Sequence, residues 1–293
     1  MAQRSGSGVS AGDMVVGLRG DCDVYKPNGE LLCALRRGAL DEGVCEQAFP
    51  QLHYLRKYIT DNRGAYTGHE RVGGEAEKRI VRQDGRPSRQ NRTMDDSGNV
   101  VYVASAVVGY YDRQGGRFPF CRQTAFTKNE VGRWRDVVPL VEHVSATYER
   151  VFPGQNLTQR KFVKSIAEDF KIPNTVFTTL TVNNNVCGTV HRDKGDYKGG
   201  LGMISYHCRG SYAGGELVFP QYKVFAECGD RDLLFFNPHE WHGVNPMRQT
   251  TPEQDGVRIS VVYYVREKMA ECGSALEEAA RAKEKYGALD GGA

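Results

Sequence analysis

The second half of the chain constrains the fold most. From Thr175 onward, short runs rich in Val, Ile, Tyr and Phe alternate with glycine and proline. The runs are 176–183, 188–191, 202–208, 216–219, 232–236 and 257–265. The breaks fall at Gly199-Gly200, Gly214-Gly215, Pro220, Gly229 and Pro238. Apolar runs this short between such breaks read as strands. Many short strands in succession predict a double-sheet jelly roll, a double-stranded β-helix.

The first half is mixed, so the expected class is α+β with a mainly β core and flanking helices. Residues 31–58 carry two helix-like patterns. The second, 44–59, spaces Phe49, Leu52, Leu55 and Ile59 by three and four, with Pro50 expected in its first turn. Val101, Val103, Val107 and Val108 mark a strand over 100–111. Val137, Leu140, Val141 and Val144 form one face of a helix over 134–150. Residues 267–285 mix charges with alanines and predict a solvent-facing terminal helix ending at Gly287. The expected organisation is a disordered tail over 1–24, a helical extension with a basic loop over 25–98, the double-stranded β-helix over 99–266, and a helix and tail over 267–293.

Composition narrows the function classes. Hydrophobic residues are 40% and charged residues 26%, as in ordinary globular chains. No apolar window approaches the ~20 residues of a membrane span. The first 20 residues lack an apolar signal core, so an intracellular, non-secreted protein is expected. The eight cysteines have no C-x-x-C spacing and read as free thiols in a reducing compartment. The net charge of +3 neither requires nor excludes nucleic acid, but two stretches are locally basic. Lys78, Arg79, Arg82, Arg86, Arg89 and Arg92 face only Asp84 between 78 and 92. That stretch is either a solvated loop or a strap for phosphates. Residues 113–135 interleave basic residues with Phe118, Phe120, Phe126 and Trp134. These either cover a core or contact bases and backbone.

The chemistry starts at His191-Arg192-Asp193. On an extended segment, residues i and i+2 share a side, so an imidazole and a carboxylate can meet one point. Alone, such a pair is common. A histidine 51 residues on, His242, completes a two-histidine, one-carboxylate set that suits ferrous iron with open positions. His239 is the competing choice; His242 is preferred because Gly243 follows it and admits close backbone approach. In 257–265 the odd positions Val257, Ile259, Val261, Tyr263 and Val265 suit a buried face, while Arg258 and Ser260 share the other. An inward arginine needs a partner. That partner is either a protein acid such as Asp230 or Asp232, or the carboxylate of a bound dicarboxylate, to which Ser260 adds a hydroxyl.

The order H-x-D, H, R-x-S is that of an iron(II)/2-oxoglutarate dioxygenase. The chain resembles the TET/JBP group, which oxidises the methyl of 5-methylpyrimidines in DNA. The resemblance is carried by 177–183 (FTTLTVN), 191–197 (HRDKGDY), 214–220 (GGELVFP), 242–244 (HGV) and 258–260 (RIS), over about residues 100–266. It implies that His191, Asp193 and His242 hold Fe(II), with 2-oxoglutarate and O2 as cosubstrates. It implies that Arg258 and Ser260 receive the distal carboxylate of 2-oxoglutarate. It also implies a DNA partner whose modified base is flipped out, since a buried iron cannot reach a stacked base.

Asp196, five residues after His191, is where relatives read the base, although it could equally cap a turn. An ionised carboxylate accepts from the cytosine amino group, which favours 5-methylcytosine over thymine. Arg266 stands where the family has a base-reading histidine, eight residues after Arg258. A straight strand would carry it ~26 Å away, at ~3.3 Å per residue, so the chain must bend for Arg266 to join the site. Two other readings compete: a dioxygenase acting on protein or a small molecule, and a non-catalytic jelly-roll module that binds nucleic acid.

Overall fold

A computed structural model describes residues 15–58, 71–72, 92–93, 102–115, 118–250 and 256–290. Its strands are β1 (Val16–Leu18), β2 (Cys22–Tyr25), β3 (Leu31–Arg36), β4 (Arg71–Val72), β5 (Arg92–Thr93), β6 (Ser105–Tyr111), β7 (Arg122–Gln123), β8 (Thr179–Asn184) and β9 (Gly188–His191). They continue as β10 (Gly202–Arg209), β11 (Tyr212–Gly214), β12 (Leu217–Phe219), β13 (Val224–Ala226), β14 (Leu233–Phe236), β15 (His242–Val244), β16 (Met247–Gln249) and β17 (Val257–Tyr264). The helices are α1 (Glu42–Tyr54), α2 (Ala125–Asn129), α3 (Val131–Val151), α4 (Pro153–Lys164) and α5 (Ala275–Asp290).

Two sheets form the body. The larger has the order β2-β3-β14-β10-β17-β8-β6-β7, and the smaller β1-β13-β12-β15-β9. Side-chain alternation sorts the large sheet into two faces. Leu233 and Phe235 of β14, Met203 of β10, and Ile259, Val261 and Tyr263 of β17 point to the layer of α1 and α3. Leu234 and Phe236, Ile204 and Tyr206 point instead toward Leu217 and Phe219 of the small sheet. The result is the jelly roll expected from the strand succession, with helices on the outer face of its larger sheet. Helix α3 buries Val137, Leu140, Val141 and Val144, the stripe read from the sequence.

Several expectations fail, each for a physical reason. Part of the supposed tail, β1 and β2, is ordered because it pairs with distant strands: β1 lies parallel to β13 and β2 antiparallel to β3. The first helix-like pattern is the strand β3. Its run Leu31-Leu32-Cys33-Ala34-Leu35 is buried on both faces, so it lacks the alternation that betrays a half-exposed strand. Pro50 lies deep inside α1 rather than in its first turn, which Asp41 caps by accepting from the Val44 amide. Helix α4, unforeseen, begins with Pro153 at its first position.

The terminal helix is not wholly solvent-facing. Glu278 is buried and accepts from Arg113 and from the Cys121 amide. It runs through Gly287 to Asp290. The reading of eight free thiols is also corrected. Cys121 and Cys272, 151 residues apart in sequence, form a disulfide where the start of the C-terminal segment packs on the 113–123 region. Of the aromatics in 113–135, Phe120, Phe126 and Trp134 are buried in the protein, which favours core cover over nucleic-acid contact there. The basic stretch 78–92 lies outside the described residues, except for the backbone of Arg92 in β5.

Phe235 ties sheet to helices. It is fully buried, with its ring centroid 5.9 Å from that of Tyr148 and 5.1 Å from that of Phe152. Phe235→Ala is expected to cost about 3–5 kcal/mol of stability, read as a lower urea midpoint at unchanged slope.

Candidate active site

The two histidines meet because their strands pair. Antiparallel β9 and β15 place His191 directly opposite His242, with ring centroids 4.4 Å apart. Gly243 allows this approach: a Cβ there would lie 3.1 Å from the Gly188 carbonyl oxygen. Asp193 follows β9 and is anchored through its amide, which donates to the Pro238 carbonyl at 2.9 Å. Its carboxylate lies 3.7 Å from His191 Nε2 and 3.6 Å from His242 Nε2. All three ligand atoms fall within 4.8 Å of one another.

The tautomers are set by the backbone. His191 Nδ1 donates to the Thr189 carbonyl at 2.7 Å, and His242 Nδ1 donates to the Glu240 carbonyl at 2.8 Å. A carbonyl only accepts, so Nδ1 carries a proton in both rings and Nε2 is the nitrogen left to face a metal. Burial pushes the His242 imidazole down to about 4, which holds it neutral and able to ligate. Two imidazoles and one carboxylate whose ligand atoms converge fit a ferrous ion. His239 is outside this group, and its amide is tied to the Asn237 side chain.

The cavity beside these ligands has a volume of about 140 Å³ and is lined by all seven residues singled out from the sequence. Arg258 is 2% exposed, its guanidinium 4.9 Å from the Tyr206 ring centroid. Gly215 makes room for it, since a Cβ there would lie 2.9 Å from Arg258 Nε. The protein acids considered as partners are engaged elsewhere. Asp232 accepts from Arg37 at 2.6 Å, and Asp230 from Arg209 at 3.1 Å. Among the described residues no carboxylate pairs with Arg258. Ser260 opposes Tyr206 on one side and Asn183 on the other.

Asp196 and Arg266 reach the same cavity because the backbone doubles back. The Tyr197 amide donates to Val265 and the Glu267 amide to Gly195, which sets Asp196 opposite Arg266 in an isolated bridge. Burial first, then the Asp193 and Asp112 carboxylates, push the Asp196 carboxyl up to about 8 against the pull of Arg266. Sequence reasoning overlooked Thr181, Asn183 and Tyr264, which also line the cavity. Thr181 and Tyr264 share a hydrogen bond of 3.1 Å, and Asn183 accepts from Ser105 at 2.7 Å. Their signal was a row of small polar residues, Thr179, Thr181 and Asn183, at a period of two in a wholly buried strand.

A jelly roll with a two-histidine, one-carboxylate cluster beside a buried arginine defines the class of Fe(II)/2-oxoglutarate oxygenases. The family model of the TET/JBP oxygenase domain, the oxygenase domain of the 2OGFeDO superfamily, matches residues 106–267. The chain belongs to that family. The superfamily uses Fe(II), 2-oxoglutarate and O2.

Among curated relatives, thymine dioxygenase JBP1-A of Trypanosoma cruzi (strain CL Brener) is 34% identical over 184 residues, covering 61% of this chain and 22% of the relative. Thymine dioxygenase JBP1 of Crithidia fasciculata is 32% identical over 174 residues, covering 59% and 21%. The chain thus spans about a fifth of the length of these relatives. The solved structure of NgTET1 in complex with 5mC DNA shares the fold, with a TM-score of 0.58 at 12% identity over 88% of this chain and 81% of that one.

His242→Ala is expected to abolish Mn(II) binding to the protein, measured by calorimetry as an iron surrogate under air. His239→Ala is expected to bind as the parent does. The reverse pattern would assign the ligand to His239.

Proposed function

We propose that this protein hydroxylates the methyl group of a 5-methylpyrimidine in DNA. The observation that carries the reading is Arg258, buried in the cavity beside the His191, Asp193 and His242 cluster, with no carboxylate among the described residues to pair with. A dicarboxylate cosubstrate supplies that partner, as a bidentate charge-assisted pair with Ser260 adding a hydroxyl. His191, Asp193 and His242 would hold Fe(II) through Nε2, a carboxylate oxygen and Nε2. When bound, the iron with 2-oxoglutarate and oxygen supplies the oxidising power to replace a C–H by a C–OH bond. The chain's own part is placement: three converging ligand atoms, an arginine that would fix the cosubstrate, and apolar walls from Ile204, Leu217 and Phe236 that limit water.

The base enters flipped out of the duplex, and Asp196 and Arg266 meet its edge. A protein with this substrate works inside the cell. Base choice turns on Asp196. An ionised carboxylate only accepts, which suits the cytosine amine and is the basis of the sequence reading for 5-methylcytosine. A protonated carboxyl also donates, which suits the thymine carbonyl. The relatives of 32–34% identity are named thymine dioxygenases, and the burial of Asp196 works in the same direction. Thymine is therefore placed first and 5-methylcytosine second.

Competition between matched duplexes carrying thymine or 5-methylcytosine at one position tests this order. Hydroxymethylation mainly of thymine is expected, and a preference for 5-methylcytosine would reverse the order. Arg258→Ala is expected to weaken 2-oxoglutarate binding by about 2–5 kcal/mol while metal binding persists. Unchanged 2-oxoglutarate affinity would remove the central support of the reading.

A further inference from the structure

Asp112 lies just past β6 and is 1% exposed. Its Oδ2 accepts from Arg266 Nε at 3.0 Å. Its Oδ1 is buried and has no hydrogen-bond partner among the described residues. The carboxylate therefore depends on Arg266 for compensation, and a buried charge holds such a partner firmly.

Asp196 is the acid that the backbone sets directly opposite Arg266. Among the described residues, however, the ion pair of Arg266 is made with Asp112 alone. Gly195 supplies the surface on which the guanidinium rests. A Cβ there would lie 2.8 Å from Arg266 Nη2 and 3.0 Å from Cζ. A side chain at 195 would displace the guanidinium, while Asp112 holds its Nε edge. Both constraints act on Arg266, which lines the cavity together with Asp196.

We infer that Asp112 is a positioning residue: it holds the Arg266 guanidinium against Gly195, off Asp196, so that both Arg266 and Asp196 keep their polar edges for the pyrimidine. The inference rests on the base-contact reading of Arg266 given above. Without Asp112, Arg266 has one acid left within its bridge, and pairing with Asp196 would consume both groups at once. Asp112 then sets base choice without touching the base.

Hydrogen exchange of the Arg266 Nε–H, followed by 15N NMR on the metal-free protein, tests the positioning directly. The resonance is assigned by its absence in Arg266→Lys. Asp112→Asn removes the charge at almost constant shape and is expected to speed exchange at least ~10-fold, as a charge-assisted bond becomes a neutral one. The same variant is expected to shift the thymine to 5-methylcytosine product ratio by roughly tenfold, the scale of one base contact. In the Arg266→Lys background it should add less than about twofold, because the two residues act as one unit.

Parent-like exchange in Asp112→Asn overturns the inference, and so does faster exchange with an unchanged product ratio or an additive double mutant. Exchange is read without iron, cosubstrate or DNA. A parent protein that oxidises no base in DNA would defeat the functional reading, while the exchange rate would still decide whether Asp112 holds Arg266.

Discussion

A fully buried arginine is the constraint around which the cavity is arranged. Removing a guanidinium from water costs several kcal/mol unless something pairs with it. Arg258 sits on a central strand of the large sheet, bracketed by β10 and β8, so it cannot swing out to solvent. Among the described residues it meets the Tyr206 ring face and a glycine, Gly215, rather than an acid. Such a site is poised for an anion from outside. His191 and His242 lie on the small sheet across the same cavity, with Asp193 just past β9, so the two sheets bring the arginine and the histidine cluster together.

This division explains why the jelly roll suits the reaction. Its large sheet is stiffened on the outer face by α1 and α3 and presents Arg258 and Ser260 inward. Its small sheet contributes His191 and His242 by strand register, the most exact means a backbone has of placing two side chains opposite each other. The two residues proposed to meet the base come from neither sheet. Asp196 and Arg266 lie on paired segments beyond the ends of β9 and β17. Arg266 is held there by its ion pair with Asp112.

The strand half of the fold was legible because its signals are local. His191 and Asp193 share a face through the period of two, and Arg258 stands out as a charge inside an apolar strand. The helix α3 showed its stripe for the same reason. What escaped was non-local. The strand β3 reads like helix until β14 is known to lie beside it, and β1 is ordered only through β13, some two hundred residues away in sequence. The Cys121–Cys272 bridge is invisible in spacing because it spans 151 residues. Thr181 and Asn183 escaped because small polar residues in a strand look unremarkable until the strand is seen to be buried throughout.

The central claim is oxidation of a methyl group on a base in DNA. Nucleoside mass spectrometry tests it most directly, using duplex DNA incubated with the protein, Fe(II) and 2-oxoglutarate under 18O2. The account predicts a hydroxymethyl pyrimidine nucleoside carrying one 18O, formed only when iron and 2-oxoglutarate are both present. Succinate release with every nucleoside unchanged would contradict it and point to a substrate other than DNA.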